Sequence, residues 1–196
     1  MSSAWEFPTS INVGGVDYEI RTDYRVVLDL FAALSDPDLT DVDEQMTAYM
    51  QSRVIMEIMF PNFGNIPTEH WHEALQKVSE FIDMGISDDR KKPKTMDWEQ
   101  DAPIIIPAIN KVLNREIRAE SYMHWWTFLG AYMEIGESLF SNVVHIRQKK
   151  ANGKKLEKWE QDFYKENKSL IDFKQKNQRS QEEKEELRDY FGYKKK

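Results

Sequence analysis

The first apolar–polar alternation is short. Ile11-Asn12-Val13 and Val16-Asp17-Tyr18-Glu19-Ile20 alternate around Gly14-Gly15. A period of two puts every second side chain on one face of a strand. Two glycines between such runs suit a type I′ turn, whose central residues both need positive φ. The spacing predicts a β-hairpin. A lone hairpin is marginal in water, so it has to lie on another element, and the following helix is the nearest candidate.

From Thr22 or Asp23, both good N-caps, the period becomes helical. Val26, Val27, Leu30, Phe31 and Leu34 recur on one side, and Ser35-Asp36-Pro37-Asp38 stops the run. A second helix opens at Thr40-Asp41-Val42-Asp43, a capping box with Asp in place of Glu. Met46, Tyr49, Met50, Arg53, Ile55, Met56 and Met59 carry it to Phe60, and Pro61 ends it. In the third helix Trp71, Ala74, Leu75, Val78, Phe81 and Ile82 form an apolar stripe behind Pro67. Gly85 suits its C′ position. The charged run Ser87 to Lys94 then reads as a linker.

Asp97-Trp98-Glu99-Gln100-Asp101 leads into Ile104 to Leu113, ending near Asn114. Pro103 fits a first turn, but Pro107 deep in a helix costs about 3 kcal/mol, so a late start or a kink is expected. Ala119 to Phe140 reads as one helix, apolar on most of its surface. Trp125, Leu129, Tyr132, Gly136 and Leu139 line one stripe; Tyr122, Trp126, Met133 and Phe140 line a second. Such a helix is central to a core or covered by a partner, and Gly130 and Gly136 would permit close helix approach. Beyond it, Lys149 to Lys155 reads as a basic turn. Leu156, Trp159, Phe163 and Tyr164 mark a short amphipathic helix. Ser180 to Tyr190 is helix-prone, with Ser180 and Glu183 as a capping box.

The expected fold is mainly α. An N-terminal β-hairpin packs on a multi-helix bundle over residues 1–146, with the charged linker near 87–96. A basic, partly helical or mobile C-terminal tail follows over 147–196. Beyond Phe173 only Leu187, Tyr190, Phe191 and Tyr193 are sizeable and apolar. Their burial cannot easily offset about 1–2 kcal/mol of backbone entropy per ordered residue. The segment after about Lys168 is therefore expected to be mobile or partner-dependent.

Composition narrows the class. The 196 residues are too few for a (β/α)₈ barrel, which needs about 200. Six Trp, eight Tyr and ten Phe are too many for a wholly disordered chain. With no Cys, disulfides, thiolate zinc sites and cysteine catalysis are excluded. The longest apolar stretch, Trp125 to Met133, is about half of the ~20 residues a membrane helix needs. Met1 to Phe7 carries no basic residue, unlike a secretory signal. A soluble cytoplasmic protein is expected. The net charge of −7 is unevenly divided. Residues 1–146 carry 11 basic and 24 acidic side chains; residues 147–196 carry 16 and 10. The acidic body and basic tail attract one another, within a molecule or between copies, and the tail could also meet an acidic partner.

Candidate chemistry is sparse. His70-Trp71-His72-Glu73 has metal-ligand letters, but i and i+2 on a helix point about 200° apart, whereas a zinc helix uses i and i+4. Asp36-Pro37-Asp38-Leu39-Thr40-Asp41 opens like a calcium loop, yet Asp41 and Thr47 stand where Gly and Glu are needed. Glu134 and Glu137 could share a helix face, without the Glu-x-x-His pairs of a di-iron site. There is no phosphate-binding glycine loop and no G-x-S-x-G. A non-enzymatic protein without metal or cofactor is expected. The tail interleaves lysines with Trp159, Phe163, Tyr164 and Phe173, as single-strand binders do. Its ten acids, often within one helical turn of the lysines, argue instead for a solvated helix with i, i+4 pairs.

His124-Trp125-Trp126 is the most distinctive block. Each Trp buries about 150–250 Å² in a core, and Trp is enriched in interface hot spots. Neighbours on a helix diverge by about 100°, so one Trp in the core and one at an interface is the expected division. The candidate partner-binding residues are His124, Trp125, Trp126, Trp159 and Phe163. Met46, Met50, Met56 and Met59 suit either a core or an adaptable contact surface.

Four segments resemble one family. They are Ile11 to Leu34 with Ile20-Arg21-Thr22-Asp23-Tyr24-Arg25, then Asp97 to Asp101, Tyr122-Met123-His124-Trp125-Trp126-Thr127-Phe128, and Lys158-Trp159-Glu160-Gln161-Asp162-Phe163-Tyr164. Across most of residues 11–166 the chain resembles the bacteriophage gp-fifteen proteins of tailed siphophages from Gram-positive hosts. Pro103 and Pro107 depart from the pattern. The resemblance implies a tail assembly chaperone, encoded beside the tape-measure protein. It would coat that long hydrophobic helix in the host cytoplasm until tail-tube subunits displace it, and be absent from the mature virion. The implied partners are the tape-measure protein, with the tail-tube protein, a companion chaperone and a second copy as further ones. No catalytic residue transfers. The alternatives are a nucleic-acid-binding accessory protein using the basic tail and a minor structural tail protein.

Overall fold

The computed structural model describes residues 5–37, 44–86, 93–174 and 180–192. β1 (Ser10–Val13) and β2 (Val16–Glu19) form the hairpin, with Val13 opposite Val16 and Ile11 opposite Tyr18. Gly14 and Gly15 take φ values of 58° and 82°, the pair of left-handed residues this turn requires. Ile11 and Val13 are buried. Their strand lies against α3 (Trp71–Ile82), not chiefly against the helix that follows the hairpin. The Gly14 N–H donates to Glu73 at 3.0 Å. A Cβ on Gly14 would meet the His70 ring at 2.9 Å, so both backbone angle and space demand glycine there.

α1 (Tyr24–Leu34) is capped by Asp23 and buries Tyr24, Val27 and Leu30. It packs on α2 (Glu44–Met59), α4 (Trp98–Leu113) and α5 (Trp125–Met133). Met50, Met56, Met59 and Phe60 are buried. α3 buries Ala74, Val78 and Phe81 and ends through Met84 and Gly85, both left-handed at φ 54° and 70°. The left-handed turn thus begins one residue before the expected glycine. The Thr40–Asp43 capping box and residues 87–92 of the linker lie outside the described residues.

α4 starts at Trp98 and runs unbroken through both prolines to Leu113, without the late start that was expected. Asp97 caps it, accepting from the Glu99 and Gln100 N–H groups. Asp101 fixes this early start: its buried carboxylate accepts the Asp97 N–H at 2.9 Å and pairs with Arg147. Pro103 and Pro107 sit on the exposed face. Two i→i−4 bonds are missing as a result: Pro103 has no N–H for the Glu99 carbonyl, and Pro107 has none for that of Pro103. Asn114, left-handed at φ 52°, ends the helix.

The run from Ala119 to Phe140 is not one helix. Ile117–Ala119 is a 3₁₀ turn, α5 spans only Trp125–Met133, and α6 (Leu139–Ala151) starts afresh. The first break arises because Met123 to Trp125 spend their backbone on Thr22 to Tyr24. Tyr24 donates to the Met123 carbonyl at 3.0 Å and Trp125 to that of Thr22 at 2.7 Å. The second arises at Ser138 and Ser141, a reciprocal capping box. Tyr122 precedes α5 and is exposed. Gly130 and Gly136 face open space rather than a close helix.

The boundary expected at 146/147 falls inside α6, which buries Phe140, Val143, Ile146 and Arg147. α7 (Lys158–Glu166), α8 (Lys168–Ile171) and α9 (Gln181–Tyr190) follow. The tail is partly helical, and the segment past Lys168 touches the body at α8 and at α9. Ile171 is buried in the main core, and Phe191 is buried against Met50. α9 carries the predicted Ser180–Glu183 box.

Candidate functional site

His124, the N-cap of α5, is buried. Its Nδ1 accepts the Trp126 N–H at 3.1 Å, and its Nε2 lies 3.1 Å from the Pro8 carbonyl. Nδ1 must therefore be bare and Nε2 must carry the proton, the neutral tautomer. Phe7 stacks on the ring at 4.4 Å. Burial pushes the imidazole below its ordinary 6.5, against the smaller upward pull of the Pro8 carbonyl. The folded state thus prefers the neutral form. Its contribution is complete above about pH 6.5 and declines as pH falls from there toward the lowered folded value. Between pH 7 and 5, wild type should lose more thermal stability than His124→Asn, whose side chain can cap without titrating. Parallel melting curves across that range check this.

The two tryptophans share one task. Trp125 Nε1 donates to the Ile82 carbonyl and Trp126 Nε1 to the Phe81 carbonyl, both at 2.8 Å. These belong to the last residues of α3, whose carbonyls have no partner within the helix. Trp125 is buried among Phe31, Trp98 and Phe128. Trp126, half-buried, reaches a surface groove of about 350 Å³ with Pro8, Ile11, Lys77, Phe81 and Met84. Phe7 and Ile86, next in sequence to the lining residues Pro8 and Gly85, are exposed, and Trp5 is 96% exposed.

Trp159 and Phe163 lie apart from that block on α7. Phe163 packs on the main core, whereas Trp159 is exposed, stacked with His145 at 6.4 Å. His145 also lines a second groove, of about 300 Å³, with Tyr132, Met133, Ile135, Phe140 and Val144. Glu160 beneath is fully buried. The Lys149 ammonium first, then the Glu157 N–H and His145, hold its carboxyl down at about 2. Other tail lysines are similarly engaged: Lys150 with Asp172 and Lys165 with Asp162.

The periodicity did not reveal Arg147. Its guanidinium donates through Nε to the Ile171 carbonyl and through Nη1 to the Thr95 carbonyl and Asp101. Nη2 serves Asp101 and the Leu170 carbonyl. All five N–H groups of an arginine are used. Phe173 covers its face at 4.2 Å. Gln100 extends the clamp, donating to the Asp172 carbonyl and accepting the Lys174 N–H. The available signal was an arginine one residue after Ile146, where a stripe would continue.

These features define a mainly α fold in which a hairpin, an aromatic junction and an arginine clamp join distant segments. A family model described as Bacteriophage Gp15 protein matches residues 5–173, and the chain belongs to that family. No curated protein and no solved structure matches the chain.

Proposed function

We propose that the protein is a tail assembly chaperone that binds the tape-measure protein during long-tail assembly and performs no chemistry of its own. Family membership is the observation that carries this reading. The Trp126 groove adds physical support: its lining includes Pro8, Ile11, Phe81 and Met84, and the exposed Phe7 and Ile86, next in sequence to Pro8 and Gly85, with Trp5 three residues before Pro8, offer apolar area to a hydrophobic helix. Lysine–carboxylate pairing on α6 to α8 weighs against the nucleic-acid alternative. The protein would act in the host cytoplasm, hand its client to tail-tube subunits, work with a companion chaperone or a second copy, and stay out of the finished virion.

Co-expression with the neighbouring tape-measure gene tests this. The two should co-purify, and the exposed double change Trp5→Asp, Ile86→Asp should cut recovery about tenfold without lowering the melting temperature. A tape-measure protein that is soluble alone and never co-purifies would remove the proposal. Stoichiometric protein in purified virions, read by mass spectrometry, would favour a structural role instead.

A further inference from the structure

We infer that the face of α2 built from Met46, Met50 and Val54 is a receptor for an amphipathic helix, and that α9 of the same chain is its resident ligand. Leu187, Tyr190 and Phe191 stand at i, i+3 and i+4, the spacing by which a helix anchors in a groove. Phe191 is buried against the fully buried Met50, with Met46, Val54 and Leu187 around them. The buried pair Met50–Phe191 is not part of the main core, which Val54 alone of these residues also touches. Arg53 marks its edge: the guanidinium lies 5.3 Å from the Tyr190 ring centre and 5.8 Å from that of Phe191. Glu57 holds Arg53 at 2.7 Å and accepts the Tyr190 hydroxyl at 2.7 Å.

The rest of α9 has little to bury. Glu182, Glu183, Glu185, Glu186 and Asp189 face solvent. A helix held by so few anchors can be exchanged for another with the same ones. The receptor side suits exchange, because unbranched methionines repack around different side chains. The family match includes α2 and stops at residue 173, so the receptor belongs to the matched region and its resident helix does not. The occupant that fits is an acidic amphipathic helix ending in two aromatics that meet Arg53. While α9 is docked, a partner's apparent affinity falls by the fraction of molecules in which the face is open.

The test uses the full chain with ¹³C-methyl methionine and a synthetic peptide of residues 180–192 as the probe. In the Phe191→Ser chain, where α9 loses its main anchor, the Met46 and Met50 methyl signals should respond at least tenfold lower in peptide concentration than in wild type. A peptide carrying Leu187→Ala and Phe191→Ala should leave them unmoved. Signals that stay still up to millimolar peptide in the Phe191→Ser chain would overturn the inference. Equal responses in wild type and variant, or an equal response to the control peptide, would do the same. Circular dichroism verifies that the variant is folded. No tape-measure protein enters this experiment, so the inference goes beyond the chaperone reading and stands or falls apart from it.

Discussion

Replacing Arg147 with alanine should lower the unfolding free energy by about 3–5 kcal/mol, the usual loss when one partner of a buried ion pair is removed. Asp101 would then hold a carboxylate sealed from water with only the Asp97 N–H left among its observed donors. The carbonyls of Thr95, Leu170 and Ile171 would each lose a donor as well. Domains of this kind are stable by about 5–15 kcal/mol in all, so the change is a large share of the total. Arg147→Lys should recover little, because an ammonium supplies three donors from one point instead of five from a planar fork. Urea titrations of the three proteins give the numbers. An Arg147→Ala protein within about 1 kcal/mol of wild type would contradict the clamp.

Trp125→Ala should be comparably severe, at about 3–5 kcal/mol for a large aromatic removed from a packed core. Trp125→Phe separates two contributions. It keeps most of the ring packing against Phe31, Trp98 and Phe128 but removes the donor to the Ile82 carbonyl. A buried acceptor left without its partner costs about 1–3 kcal/mol, so the phenylalanine variant should fall between wild type and alanine. Equal loss in both variants would mean that the hydrogen bond, not the packing, dominates at this junction.

Local chemistry was readable in the sequence where it decides structure. The Gly14-Gly15 turn, the Asp23 cap, the α3 stripe and the Ser180–Glu183 box all have causes within a few residues. Periodicity overextends α5 because it cannot see a partner far along the chain. Nothing near Met123 announces that its backbone is committed to Tyr24. The second break did leave a trace, since Gly136-Glu137-Ser138 is a poor helix interior and a good helix start. The prolines of α4 misled for a related reason. Propensity argues for a later start, but the Asp101–Arg147 pair fixes the first turn at Trp98. The site was legible only in part. His-Trp-Trp stood out as a block, while its role as a clasp on the end of α3 depends on where α3 stops.

The ladder between Thr22–Tyr24 and Met123–Trp125 also sets a timetable for synthesis. Thr22 and its hydroxyl partner Tyr122 are 100 residues apart. At about 5–20 residues per second, the ribosome needs about 5–20 s to deliver the second strand of that ladder after the first. Throughout that interval the hairpin and α1 exist as a nascent segment whose Tyr24 and Phe31 still lack Phe128 and Trp125 of α5. The hairpin and α1 are thus obliged to wait for the middle of the chain, and the fold closes late rather than growing from its beginning.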